Sequence, residues 1–274
     1  MNTTFKAMAA AIALGLPALA LTTGPAFADE MAEGKWGEYQ VGDKRSGYTY
    51  AGPETRAMQD DEFQNPAMLW LDTGMSEWEN AAGDAGKACA DCHGDAEESM
   101  AGVATKYPVY SEETGKMMNL EQRINFCRTE NMQAEPYKWE SDELLGMTAY
   151  VKNQSKGMPV DVSIDGPAKE FWEKGKEFYE TRRGQLDLAC THCHVDNAGN
   201  LIRAETLSQG QGNGFPLYRL KWQKVGSLHR RFRGCNNNIR AEKLPYGSDE
   251  YTNLELYVTW RGNGLPIETP AVRK

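Results

Sequence analysis

Long apolar runs are almost absent from this chain. Only residues 9–21 form one, between Lys6 and the small-residue site Ala26-Phe27-Ala28. That run is too short for a comfortable membrane span and has the layout of a secretory signal peptide covering residues 1–28. The expected mature protein begins at Asp29, in the bacterial periplasm. With a mean hydropathy of −0.64 and 25% charged residues, nothing else in the chain reads as a bilayer-crossing segment. Positive charge is also in deficit. Thirty Lys and Arg against 39 Asp and Glu give a net charge of −9, which argues against nucleic acid as a partner. Histidine is scarce, with four in the whole chain, and no methionine follows Met158. Both shortages narrow the choice of metal ligands.

Against these absences stands one motif, present twice. Cys-x-x-Cys-His occurs as Cys89-Ala90-Asp91-Cys92-His93 and as Cys190-Thr191-His192-Cys193-His194. This is the c-type haem attachment signal. Two thiols three residues apart can reach the two vinyl groups of one porphyrin, and the adjacent histidine then lies against the iron. Two covalently bound c-type haems are therefore expected, with Cys89, Cys92, Cys190 and Cys193 as attachment points and His93 and His194 as proximal ligands.

The motifs belong to a longer repeat. At an offset of 101 residues Gly74 falls on Gly175, Trp78 on Tyr179, Gly83 on Gly184 and Ala88 on Ala189. The offset then grows to 108, where Arg123 and Cys127 fall on Arg231 and Cys235. At 107, Ser141-Asp142-Glu143 matches Ser248-Asp249-Glu250, and Gly157-Met158-Pro159-Val160 matches Gly264-Leu265-Pro266-Ile267. A shared order of landmarks over about a hundred residues reads as a duplicated domain. Each copy carries an amphipathic helix before Gly184 or its counterpart, then the haem motif and a poorly periodic wrap. A last helix opens at Ser141 or Ser248 and stops at Gly157 or Gly264. The expected fold is all-α, a tandem pair of cytochrome c-like domains at 65–160 and 161–274. Residues 29–64 form an extension across the surface, against the second domain.

Two cysteines remain, Cys127 and Cys235. In a periplasmic protein they could pair as a disulfide. Elimination points elsewhere. Electron-transfer cytochromes usually complete the iron with Met or His. The second domain has no methionine after Cys193, and its remaining histidines are His192, inside the attachment loop, and His229. The first domain has no second histidine, although Met100, Met117, Met118, Met132, Met147 and Met158 compete there. Cysteine alone offers a ligand at matching positions in both halves, so His/Cys-thiolate coordination by His93 with Cys127, and by His194 with Cys235, is expected. A thiolate should pull the reduction potential down and place a reactive sulfur on the iron.

Between Arg219 and Lys243 stand eight bases and one acid, Glu242, with Cys235 among them. The stretch around Cys127 includes Glu113, Glu121 and Glu130. Such a basic cluster is either a docking face for an acidic partner or for haem propionates, or an anion site beside a favoured thiolate.

These residues resemble the SoxA family, the larger subunit of the SoxAX cytochromes of bacterial sulfur oxidation. The likeness spans essentially the whole mature chain. It rests on the paired haem motifs, the spare cysteine of each half, His-Arg-Arg-Phe-Arg-Gly-Cys at 229–235, Arg240-Ala241-Glu242, Asp196-Asn197-Ala198-Gly199-Asn200 and Gly214-Phe215-Pro216. The resemblance implies an L-cysteine S-thiosulfotransferase. Such an enzyme pairs with a SoxX-like monohaem cytochrome c and couples thiosulfate to a cysteine thiol of a SoxYZ-like carrier. Two electrons then pass to a small cytochrome c. It further implies that Cys235 is the catalytic sulfur, open to persulfide formation, that Arg231 and Arg240 hold thiosulfate, and that the first haem lies far from the reaction. A thiosulfate dehydrogenase forming tetrathionate and a non-catalytic electron-transfer cytochrome are the competing readings.

Overall fold

The structure, a computed structural model, describes residues 36–274. The expected signal peptide lies outside these residues. The extension opens with the hairpin β1 (Gln40–Val41) and β2 (Lys44–Arg45), then α1 (Pro53–Asp60). It is tied to the later chain by Lys44 Nζ donating to the Asn263 carbonyl at 2.9 Å and by Gln59 Oε1 accepting from the Val272 N–H at 3.0 Å. Ser46 hydrogen-bonds Glu268 in the same seam.

Two stretches of chain then run through similar elements, differing after the haem motif, where the first has a short helix and the second a hairpin. The first has α2 (Met68–Glu79), the haem-motif turn α3 (Ala90–His93), α4 (Ala96–Ser99), the hairpin β3 (Val109–Ser111) and β4 (Lys116–Met118), α5 (Leu120–Glu130) and α6 (Asp142–Asn153). The second has α7 (Ala168–Glu180), the motif helix α8 (Cys190–His194), hairpins β5 (Leu201–Ile202) with β6 (Glu205–Thr206) and β7 (Leu217–Arg219) with β8 (Lys224–Gly226), α9 (Leu228–Asn238) and α10 (Asp249–Arg261). The last strand, β9 (Ala271–Arg273), returns to pair in parallel with β7.

The sequence explains the local choices. Ser141 and Ser248 cap α6 and α10 by accepting from the N–H groups of Leu144 and Tyr251, and the Asp-Glu pair that follows suits the positive helix end. Asn119 and Gln122 form a reciprocal capping box at α5, and Ser227 caps α9. In each half the first helix crosses the last at a glycine. A Cβ on Gly74 would overlap the Gly146 carbonyl, and one on Gly175 would overlap the carbonyl of Asn253. Glycine is required there for close backbone approach. Trp78 and Tyr179, four residues on, are buried at the same crossings. Each large apolar side chain taken from water contributes about 1.5–3 kcal/mol.

Three expectations need correction. The fold is not all-α: three two-stranded sheets and one three-stranded sheet accompany the helices among the described residues. The wraps after the haem motifs run through the interior, with Met117, Leu217 and Val225 all buried, so their backbone groups need partners and find them across hairpins. The helices also stop earlier than the glycines suggested. α6 ends at Asn153 and α10 at Arg261, where i→i+3 bonds such as Ser155 N–H to Lys152 carbonyl tighten the chain. Gly157 and Gly264 lie beyond, at φ +80° and +92°. α7 likewise ends at Glu180, with Gly184 in the following turn at φ +68°.

The two stretches share one core. Residues 36–274 form one compact unit. Met117 packs with Val160, Leu256 and Ile267. The loops after α6 and α10 pair antiparallel at Pro159 and Pro266, with the Val160 N–H donating to Leu265 and the Gly264 N–H to Val160.

Candidate haem and thiolate sites

Both attachment motifs are short helical turns, which puts the second cysteine and the histidine on the side of the first. They are braced alike. The N–H of Ala88 donates to Asp91 Oδ2 at 2.7 Å, and the N–H of Ala189 donates to His192 Nδ1 at 3.1 Å. His192 therefore caps its own turn. All six cysteines are free thiols, so a Cys127–Cys235 disulfide is absent.

At the second motif, His194 Nδ1 lies 2.8 Å from the Ser208 carbonyl. A carbonyl can only accept, so the imidazole hydrogen sits on Nδ1 and Nε2 presents its lone pair. Gly210, at φ +72°, passes so close that a Cβ there would press on the His194 ring. Cys235 comes from α9 to face His194, near enough for a side-chain hydrogen bond. The residues thus fit a c-type haem. Two thiols and an imidazole rise from one turn, a backbone carbonyl orients the imidazole as outer-shell partners do, and a thiol lies opposite. Burial pushes the Cys190 thiol up to about 12, as suits a group set in an apolar wall.

The electrostatics single out Cys235. Burial alone would raise its pKa. Arg231, one turn back on α9, together with His194 and Arg219, outweighs burial and lowers it to about 7. Among the described residues no carboxylate pairs with Arg231. Arg219, at the end of β7, is itself buried and held by Glu205 at 2.6 Å and by the Lys274 carbonyl at 2.6 Å. Burial first, then the like charge of Arg231, lowers its pKa. Arg240 sits past the end of α9 at φ +57°, is exposed, reaches Gln185 Oε1 at 3.4 Å, and lines an open cleft of about 510 Å³ with Arg183, Asn236 and Leu244. The structure therefore brings Arg231 to Cys235 and places Arg240 on the open cleft that Asn236 also lines. Sequence reasoning missed Glu205 and the Ser208–Gly210 loop, and did not single out Arg219 within the basic run.

At the first motif, His93 packs against Trp78, with ring centroids 5.9 Å apart, and the Trp78 indole N–H donates to the Gly94 carbonyl at 3.0 Å. Cys127 of α5 faces Cys89. Arg123, one turn back, matches Arg231 in position, but Glu113 pairs with it at 3.2 Å and Tyr107 hydrogen-bonds it. Burial wins at Cys127, and its pKa is raised. Burial likewise holds Cys89 at about 11. His229, the remaining histidine, is 1% exposed, with Nδ1 accepting from the Gly247 N–H and Nε2 lying 3.1 Å from Glu255 Oε2, so it is not offered to either iron.

Comparison with known proteins adds names to this geometry. Residues 73–160 match the SoxA/TsdA cytochrome c domain family. The L-cysteine S-thiosulfotransferase subunit SoxA of Pseudaminobacter salicylatoxidans is 49% identical over 84% of this chain and 80% of its own length. That of Paracoccus pantotrophus is 45% identical over 98% and 97%. The crystal structure of SoxXA from P. pantotrophus contains a chain that superposes with a TM-score of 0.81 at 48% identity, covering 84% of this chain and 87% of that one. No helix of the described residues is long and apolar enough to cross a membrane.

Proposed function

The chain belongs to the SoxA family, and on that premise we propose that it is the catalytic subunit of a periplasmic L-cysteine S-thiosulfotransferase. It carries two c-type haems on duplicated cytochrome c-like halves, 65–160 and 161–274. The first is held by Cys89, Cys92, His93 and Cys127, the second by Cys190, Cys193, His194 and Cys235. The like order of elements and the matched glycine crossings support the duplication. A SoxX-like monohaem cytochrome c is its partner, in keeping with the SoxXA relative.

The observation that carries the reading is the placing of Cys235 opposite His194 and one turn after Arg231, which pairs with no carboxylate among the described residues; against burial, these neighbours lower the thiol to about 7. Thiosulfate brings two negative charges and a nucleophilic sulfur. Arg231 neutralises part of that charge through its forked donors, and Arg219 adds to the positive field. Arg240, in its open cleft, serves approach of the anion. The sulfane sulfur of thiosulfate joins the Cys235 thiolate, forming one S–S bond and releasing two electrons. A bound haem supplies the one-electron acceptor through which they leave, toward the partner and a small cytochrome c. A deprotonated cysteine of a SoxYZ-like carrier then attacks the sulfane sulfur. The carrier departs as its S-thiosulfonate and Cys235 leaves as thiolate, ready for another round. His194, fixed by Ser208 and Gly210, keeps its ring oriented throughout.

The test uses the purified heterodimer with thiosulfate, with and without a carrier ending in a free cysteine. Reduction that requires the carrier, with a thiosulfonate mass increment on that cysteine, is expected. Carrier-independent reduction with free tetrathionate would assign a thiosulfate dehydrogenase instead, and no reduction in either case a plain relay.

A further inference from the structure

Where α5, α6, α9 and α10 meet lies a set of ionisable side chains that the coupling reaction does not use. Glu121 and His229 are each the second residue of their helix, and each stands six residues before that helix's cysteine. They are 5% and 1% exposed. Between them stands Glu255 of α10, 8% exposed. Asn119 Nδ2, from the N-cap of α5, donates to Glu255 Oε2 at 2.9 Å, and His229 Nε2 lies 3.1 Å from the same oxygen. Lys152 of α6 faces both carboxyl groups. Glu140, ahead of α6, is the next charge out, and Arg230 of α9 holds it at 3.2 Å.

The backbone settles where the protons are. The Gly247 N–H donates to His229 Nδ1 at 3.1 Å, so Nδ1 offers its lone pair and the ring hydrogen sits on Nε2, toward Glu255. Trp139 stacks on the ring at 5.2 Å. Burial would raise Glu255, but His229, Asn119 and Lys152 outweigh it and hold that carboxyl below its usual value. Burial, followed by the charge of Glu255, pushes Glu121 up to about 8. Burial lowers Lys152, the one lysine that both carboxyl groups face, so Glu121 is the carboxyl that keeps its proton most readily. Losing it would leave an uncompensated charge in the interior, which is costly.

We propose that this seam cluster is a redox-linked proton site, in which Glu121 takes up one proton from solvent when an electron enters the protein and returns it when the electron leaves. The inference rests on the two-haem reading above. The step balances: carboxylate and proton give carboxyl, and the electron comes from thiosulfate–thiol coupling. Six helical residues put the cluster about 9 Å along each axis from the two thiols. A unit charge about 12 Å away, at an effective dielectric of about 20, changes an acid constant about tenfold.

Spectropotentiometric titration of the haem-loaded chain from about pH 6 to about pH 10 tests this. A carboxylate disfavours an added electron, so at least one midpoint potential should fall as pH rises through the Glu121 transition. The span should be about tenfold in equilibrium constant, or about 59 mV for one electron. Glu121→Gln should flatten that segment and Glu121→Asp should keep it. The same dependence in Glu121→Gln as in wild type, or none in wild type, overturns the proposal. A haem count on the same sample separates the two readings: fewer than two haems contradicts the cofactor assignment, whereas two haems with pH-independent potentials contradicts the proton site. Should Glu121→Gln fail to fold, wild type alone decides. Proton uptake on reduction and a redox-linked carboxyl infrared band that shifts in D2O are expected, and the absence of both overturns the proposal.

Discussion

Cys127 and Cys235 stand at corresponding points in two like successions of elements, each facing an attachment cysteine and each one turn after an arginine. Their surroundings act in opposite directions. At Cys235, Arg231, His194 and Arg219 prevail over burial and the pKa is lowered. At Cys127, burial prevails and the pKa is raised. The arginines themselves do not differ; what they are committed to does. Glu113 and Tyr107 engage Arg123, whereas among the described residues Arg231 faces no carboxylate. Two like-placed thiols therefore differ because only one is left beside an arginine that no carboxylate engages among the described residues.

The comparison can be broken at several points. Arg231→Gln should lower thiosulfate turnover about 100-fold, the scale of losing a charge-assisted bond of about 2–3 kcal/mol, while Arg123→Gln should stay within about twofold of wild type. Steady-state reduction of the partner cytochrome measures both, and equal effects would erase the distinction between the halves. The scaffold, by contrast, should respond alike in both. Gly74→Ala and Gly175→Ala each push a methyl group into a facing carbonyl. Each should cost about 1–3 kcal/mol, a fall of about 2–12 °C in Tm, and tolerance at one crossing alone would show that the two are not built the same way. The seam should give the smallest effect. Glu121 is raised from 4.5 to about 8 in the folded protein, so the native state keeps a proton that the unfolded chain has lost between those values. The stability tied to that proton is full below about pH 4.5 and is lost as pH rises toward 8. Glu121→Gln, neutral at every pH, should therefore gain about 1–2 kcal/mol over wild type between pH 5 and pH 8, read as a Tm difference that widens with pH.

Much of this was legible in the residues, for identifiable reasons. Cys-x-x-Cys-His is a local signal, because one helical turn puts the thiols and the imidazole on the same side, and both motifs lie on such turns. Ser141 and Ser248 announced helix starts because a cap acts over three residues. Gly74 and Gly175 were visible as repeated positions, but only the fold reveals why a side chain is forbidden at each. The hairpins were not legible. Strands of two or three residues carry no periodicity, and they form because buried backbone needs partners. Long-range partners were equally hidden. Nothing near Arg219 points to Glu205, nothing near His194 points to Ser208, and nothing near Glu121 points to Glu255 across the seam. Arg240 follows Cys235 by five residues, but the helix ends between them and Arg240 stands on an open cleft that Asn236 also lines, a placing the sequence alone does not give.

The central claim is that the sulfur of Cys235, and not that of Cys127, takes part in the chemistry. The direct measurement is thiosulfate-driven, carrier-dependent reduction by two variants, Cys235→Met and Cys127→Met, each verified to carry both haems. The account predicts no turnover from Cys235→Met and substantial turnover from Cys127→Met. Retained turnover in Cys235→Met would contradict it, because methionine can still ligate iron but cannot relay sulfur.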